Sequence, residues 1–197
     1  AGCIFADKGP AIFGKNEEKE WFLLGVLNSL LAEFLLRSMI AFGSWEVGAV
    51  KKVPVPQARP ADEGGLADRA RWLHDAKANW DTGNEISTRF DRPWVIQPAV
   101  AKQACSLAVA LDAVLASEAT LDAELIAAYS KLNDTVYGLY GVNETLRAKI
   151  EAAIGKRPPE LVWPQMEGQE RDQKRREHVD RLLTYLVKQI VAADEDR

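Results

Sequence analysis

The sequence predicts a mainly α protein, with a short α/β element over residues 1–60 and a helical C-terminal domain over 61–197. Three observations carry that expectation. Apolar residues at 23, 26, 27, 30, 31, 34, 35 and 39 follow helical spacing. Short apolar runs bounded by Gly-Pro, Gly-Ser and alternating prolines flank that helix and read as strands. Past the loop-like stretch 57–65 (QARPADEGG), the pattern is almost wholly helical.

Taken in order, AGCIFADKGPAIFGK reads as strand, turn, strand, with turn chemistry at Asp7-Lys8-Gly9-Pro10. Asn16 is placed to cap the next helix, and Glu17 and Glu18 suit the positive end of its dipole. That helix is expected to continue as one piece to about Gly43, with Leu24, Leu36 and Ile40 widening its apolar stripe. Residues 45–50 (WEVGAV) read as a short strand. Pro54 and Pro56 cannot donate ladder hydrogen bonds, which makes 53–56 an edge or extended exit segment. Further helices are expected near 65–80, 99–117, 120–140, 144–154 and 172–193, with an irregular stretch DTGNEISTRFDRPWVIQP between the first two. Asn143 is a natural start and Gly155 a natural stop for the fourth of these. Pro158, Pro159 and Pro164 make 156–166 an extended connection, with Trp163 docking on the helices.

At 197 residues and 47% apolar content the chain can build a real core, as one ordinary domain or two small ones. Its net charge of -4 argues against a free-standing, tight nucleic-acid binder, because non-specific DNA affinity comes mainly from Lys and Arg neutralising phosphates. The charge is uneven. Residues 1–60 carry 7 basic and 6 acidic side chains, whereas 61–197 carry 18 and 23. Two cysteines, Cys3 and Cys105, offer no disulfide framework or metal-ligand spacing, as suits a reducing cytoplasm. Cys105, among alanines and valines in a helical run, is expected to be a packed structural residue. The segment 21–42 has about the length a bilayer needs, but Asn28, Ser29, Glu33 and Arg37 fall inside it. Glu33 and Arg37 can pair on one helix face, so a core helix is expected rather than a membrane span. The opening Ala-Gly-Cys has no signal-peptide pattern and reads as the start of a piece cut from a longer chain.

The catalytic signatures of the common classes do not occur. No glycine-rich loop follows a strand, and HExxH, CxxC, GxSxG and PD…(D/E)xK constellations are missing. The Asn/Asp-Pro-Pro-Tyr/Phe motif of amino-methyltransferases is also missing, since Pro158-Pro159 stands between Arg157 and Glu160. His74 and His178 read as surface or interhelical histidines. No catalytic, cofactor or metal site is therefore expected in this chain.

One run is far more particular than its helix and strands. LLGVLNSLLAEFLLRSMIAFGSWEVGAVKKVPVP, residues 23–56, resembles the end of the target-recognition domain in large adenine-specific DNA methyltransferases of the type IIG and BREX (PglX-like) kind. There an "LxxxLNSxLxxFLLR" helix leads into a "GSxEVGxVKKxPxP" strand. Residues 7–13 look like the preceding "xKGPxIF" strand, Glu85–Phe90 like an "ETSxxF" segment, and 136–141 (VYGLYG) like "VYxLYGL". Arg157-Pro158-Pro159-Glu160 and Trp163-Pro164 resemble the PglX-like C-terminal region. The resemblance implies that the intact protein methylates adenine N6 in a short DNA sequence, within restriction or phage defence and with or without cleavage activity. S-adenosylmethionine and the flipped base would be held by a separate N-terminal domain. This chain would help to clamp double-stranded DNA, with the methyltransferase domain and other defence-system subunits as its protein partners.

Candidate DNA contacts on that reading are Lys8 and Lys15 near the first strand pair, and Ser44, Trp45, Lys51 and Lys52 around the second. Each has a plainer alternative. Trp45 can be a packed strand aromatic, and Lys51-Lys52 the solvated protection of a strand edge. Asn28 and Ser29 can simply satisfy backbone groups beside a close-packed helix. Arg171, Lys174, Arg175 and Arg176 read as the solvated face of the last helix. A different class of function, an acidic helical protein–protein interaction module over 61–197, fits the same composition. The two separate by salt, because phosphate contacts weaken steeply as salt rises and apolar docking does not.

Overall fold

The computed structural model describes residues 14, 16–40, 47–102, 104–155 and 161–195, and among these every regular element is helical. The α-helices are α1 (Glu17–Leu27), α2 (Leu30–Met39), α3 (Val47–Val50), α4 (Pro60–Trp80), α5 (Pro98–Ala101), α6 (Leu107–Leu139), α7 (Glu144–Ile154) and α8 (Arg171–Glu195). Single 3-10 turns lie at Asp81–Gly83, Trp94–Ile96 and Pro164–Met166. Contacts group the chain into two units, 1–73 with 127–157 and 74–126 with 158–197. That grouping cuts across the division at 60/61 expected from composition. The loop-like stretch 57–65 already contains the first turn of α4, where Pro60 occupies a position that needs no N–H donor.

The first unit is built on α1, α2, α7 and parts of α4 and α6. Its core joins Phe22 and Val26 of α1, Leu31 of α2, Leu66 of α4, Leu132 and Val136 of α6, and Ile150 and Ile154 of α7. Gly25 lets α1 lie close on α4, because a Cβ there would stand 3.1 Å from Leu66 Cγ. Asn16 caps α1 by accepting from the Lys19 N–H at 2.8 Å, and Asn143 caps α7 by accepting from the Leu146 N–H at 2.9 Å. The bounds of α7 and its stop at Gly155 are those the sequence predicts. At the end of α6, Gly141 (φ 65°) lets the Val142 N–H turn back to the Tyr137 carbonyl at 2.9 Å, so the second glycine of VYGLYG is a helix stop.

Several expectations are corrected. The short strand at 45–50 is not formed in its described part. Residues 47–50 make one helical turn, closed by the Lys51 N–H on the Val47 carbonyl at 3.0 Å. With no strand beside it among the described residues, this backbone satisfies its carbonyls locally. The segment 53–56 is therefore no sheet edge, although Val53 is buried and the Tyr140 hydroxyl donates to the Pro54 carbonyl. The strand pair expected over the opening residues, and 41–46, lie outside the described residues. The single helix expected through residue 42 is two helices, bent by 68° at Asn28–Ser29. The separate helices at 99–117 and 120–140 are a one-turn α5 and then the continuous 33-residue α6. Nothing in 117–120 breaks a helix: Thr120 returns its hydroxyl to the Ala116 carbonyl at 3.0 Å, and Glu118 is buried against Lys174. Cys105 is exposed in the bend before α6, so it is not a packed core residue.

No single helix among the described residues is long and apolar enough to cross a membrane. The bent α1–α2 pair, taken together, is long and apolar enough, but it buries Phe22, Val26, Leu31 and Leu36 within the protein, and Glu33 pairs with Arg37 as expected.

Candidate functional site

The most particular part of the sequence, Leu27-Asn28-Ser29, folds into a hydrogen-bonded elbow between α1 and α2. Asn28 ends α1 and donates its amide to the Leu24 carbonyl at 2.9 Å. Ser29, fully buried, donates its hydroxyl to the Val26 carbonyl at 2.7 Å and accepts from the Ala32 N–H at 3.2 Å. It thus caps α2 while closing α1. Helix α6 completes the elbow. Asn133 accepts from the Leu30 N–H at 2.8 Å and anchors its own amide on the Tyr129 carbonyl at 2.9 Å, while the Tyr129 hydroxyl donates to the Asn28 carbonyl at 2.9 Å. The Leu30 and Ala32 N–H groups and the Asn28 carbonyl, which the bend leaves without helical partners, are met by side chains here. Asn28 and Ser29 are therefore shaping residues, the plainer of the two roles open to them.

Of the six candidate DNA contacts, Lys8, Lys15, Ser44 and Trp45 lie outside the described residues. Lys51 and Lys52 follow α3 directly and are both exposed, with neither making an ion pair to another described residue. Their backbone is held by the α3 turn, and the next residue, Val53, is buried, which sets both ammonium groups on an anchored turn. Chemically, the pair can meet phosphate oxygens as point charges on flexible stems.

The second unit holds two features that periodicity alone did not disclose. The first is an aromatic slab. Trp80 and Trp94 stand 5.0 Å apart between ring centroids, Trp94 and Trp163 4.9 Å, and His178 of α8 lies 5.3 Å from Trp94 and 5.0 Å from Trp163. Trp94 donates its indole N–H to the Trp80 carbonyl at 2.8 Å. The close fit depends on Gly83, where a Cβ would fall 2.3 Å from the Trp94 indole. His178 is 1% exposed and its Nε2 has no hydrogen-bond partner among the described residues. Burial, with Arg181 and Lys174 nearby adding positive charge, pushes its pKa down to about 4. The imidazole is therefore neutral at physiological pH and serves as a packing ring.

The second feature is a groove of about 390 Å³ between α6 and the start of α8, with Ala116 and Ala119 in its lining. Arg171 pairs with Asp112 at 2.7 Å, Arg175 also pairs with Asp112, and Lys174 pairs with Glu118. The Val162 N–H donates to Asp122 at 2.7 Å. The bond from Arg171 holds the Asp112 carboxyl low, whereas burial raises those of Glu118 and Asp122 against the pull of Lys174 and, at Asp122, of the Val162 N–H. Lys174 and Arg175, both half-buried, thus hold α8 to α6, correcting their reading as a solvated face, whereas Arg171 is exposed as that reading has it. Only Arg176 of that cluster is exposed without an ion pair to another described residue. The sequence signal for the clamp was present, in acids on one face of α6 and bases one turn apart on α8, but either set alone reads as a wet surface. Among the described residues no group of His, Cys, Asp and Glu could hold a metal ion. No protein-family model, curated protein or solved structure matches the chain.

Proposed function

We propose that this chain is the C-terminal scaffold and DNA-clamping part of an adenine-N6 DNA methyltransferase of restriction or BREX-type phage defence. The observation that carries the reading is the ordered likeness over residues 23–56. The likeness falls on polar residues with demanding local roles as well as on interchangeable leucines, since Asn28 and Ser29 are what turns α1 into α2. Lys51 and Lys52, presented on an anchored turn, supply phosphate contacts that orient the duplex without reading its sequence. S-adenosylmethionine and the target base belong to the domain N-terminal to this chain, and no residue here is assigned to them.

The test starts from the gene. Its coding sequence upstream of Ala1 is expected to carry a glycine-rich cofactor loop and an Asn-Pro-Pro-Tyr-like motif in frame. The complete product is expected to place N6-methyladenine in DNA when S-adenosylmethionine is supplied, as read by mass spectrometry of the digested DNA. A complete product without those motifs, or one that leaves adenine unmodified, would overturn the reading.

A second reading, an acidic helical interaction module, is favoured by one observation: the far end of α8 exposes Leu186, Val187, Ile190 and Val191. The two readings are compatible if residues near 50 meet DNA and α8 meets protein.

A further inference from the structure

Helix α8 has two faces. The inner one packs on its own unit: His178 lies in the tryptophan slab, Tyr185 meets the edge of Phe90 at 6.0 Å between ring centroids, and Lys188 pairs with Glu85 at 3.7 Å. The outer one carries Leu183, Leu186, Val187, Ile190 and Val191, all exposed, with Ile190 at 70%. Together they expose roughly 500 Å² of apolar surface, as much as the largest patch of a typical monomer. Val187, Ile190 and Val191 are β-branched and form helix less readily than the Ala, Lys or Glu that an uncovered helix would favour.

The spacing on the outer face is that of a seam between two helices. Arg176, Asp180, Leu183, Val187, Ile190 and Asp194 follow one another in steps of four and three residues, the interval that keeps one row turned towards a partner helix. Leu186 and Val191 flank the row on either side. Its ends have opposite charge. Arg176 and Asp194 are exposed, as is Asp180, and none of the three makes an ion pair with another described residue. Glu177, beside the row, is already paired with Arg181 at 2.7 Å.

The charges select the partner and its direction. A second copy of α8 laid antiparallel about a two-fold axis at Tyr185 sets Arg176 opposite the second copy's Asp194, Asp180 opposite its Ile190, and Leu183 opposite its Val187. The axis repeats each contact, so one arrangement makes two ion pairs and closes the apolar row on itself. Leu186 then meets its own equivalent beside the axis. Asp180 faces Ile190, one turn from the Arg176 guanidinium, which weakens the seam but helps to fix its register. Sliding by one heptad sets either Asp194 against Leu183 or Arg176 against Val187, and both ion pairs are lost. A parallel pairing opposes Arg176 to Arg176 and Asp194 to Asp194, which is destabilising.

We propose that the outer face of α8 is a self-association surface, on which two copies of the chain pair antiparallel through Leu183, Val187 and Ile190, with Arg176 and Asp194 joined at each end. Two such faces bury on the order of 1,000 Å², below the standard size of a specific complex, so the dimer is weak and depends on concentration. It is independent of whether the chain meets DNA.

Sedimentation equilibrium of the complete gene product, from low to high micromolar concentration, tests the pairing. The mass is expected to rise from that of one chain towards twice that value, and Ile190→Glu is expected to stay at one chain throughout. Gln189→Glu, off the row, should behave as the wild type. Arg176→Asp and Asp194→Arg should each weaken the dimer by about tenfold, because the axis turns one substitution into two like-charge pairs. The double variant, with the charges exchanged, should return to within about threefold of the wild type. These positions are exposed, and an unchanged circular dichroism spectrum confirms that each variant is folded. A one-chain mass at every concentration would overturn the proposal, as would a dimer that Ile190→Glu leaves intact. Single charge variants that dimerise like the wild type, or a double variant no stronger than the singles, would overturn it too. Methylation plays no part in the readout, so a product that methylates nothing leaves this inference standing.

Discussion

The elbow at Asn28–Ser29 and the tryptophan slab around His178 solve the same problem, fixing helices at an angle in a dry interior, by opposite means. The elbow uses short polar side chains, and each amide and hydroxyl named above finds a partner between 2.7 and 3.2 Å. The slab uses area: three indoles and an imidazole with centroids about 5 Å apart, and two ring nitrogens, Trp80 Nε1 and His178 Nε2, without a hydrogen-bond partner among the described residues. Hydrogen bonds exchange with water and yield little net energy, but they specify geometry sharply. Aromatic burial yields far more and is less exacting about angle. The elbow therefore decides where α2 goes, while the slab supplies stability and carries a sensitivity to acid.

That contrast can be broken first at the slab. Trp94→Ala removes the ring that touches Trp80, Trp163 and His178, and is expected to destabilise the second unit by about 3–5 kcal/mol in urea unfolding. Gly83→Ala should act in the same direction, because the added methyl occupies the place of the Trp94 indole. A loss below 1 kcal/mol for both would mean that the slab is not what holds this unit.

Acid sharpens the contrast at smaller cost. His178 titrates near its ordinary 6.5 when unfolded and at about 4 when folded. Between those values the unfolded state binds more protons, so stability rises with pH there and is lost as pH falls through 6.5 towards 4. From pH 7.5 to pH 5 the expected loss is about 2 kcal/mol. His178→Phe, which keeps a ring in the slot, should remove that part of the pH dependence. A variant with the wild-type slope would show that the acid sensitivity lies elsewhere.

At the elbow, Ser29→Ala deletes one donor and one acceptor from a fully buried site, and is expected to cost about 1–2 kcal/mol. Asn133→Ala should cost a similar amount, and the double variant less than the two together, since both hold the start of α2. Strict additivity in the unfolding cycle would argue against a shared elbow.

The smallest structural effect is expected at the proposed DNA contacts. Lys51→Ala and Lys52→Ala should leave stability within about 0.5 kcal/mol. In the complete product each should lower the salt slope of DNA binding by about one, without altering sequence preference. Unchanged slopes in both would remove these lysines from the interface.

Local chemistry was legible wherever a side chain acts on its own neighbourhood. Asn143 and Gly155 bound α7, Asn16 caps α1, Glu33 pairs with Arg37, and Trp163 is buried as its place in a proline-rich connection suggested. Periodicity failed where two structures share one period. The apolar repeat from 23 to 39 runs through the bend without interruption, because Ser29 can sit inside a helix or cap a new one, and the bonds from Asn133 and Tyr129 favour the cap. The same ambiguity concealed the continuity of α6. The short run at 47–50 went to helix because strand propensity has no value without a neighbouring strand to pair with.

The sequence by itself determined the helical character, the caps at Asn16 and Asn143, the stop at Gly155 and the charge division, all of which depend on residues a few positions apart. Tertiary structure alone decided the angle at Asn28–Ser29, the depressed pKa of His178, and the pairing of Lys174 and Arg175 with acids of α6. Each of these depends on partners dozens of residues away, brought within reach only when the chain buries its apolar surface, and no local pattern encodes a distance that burial has yet to create.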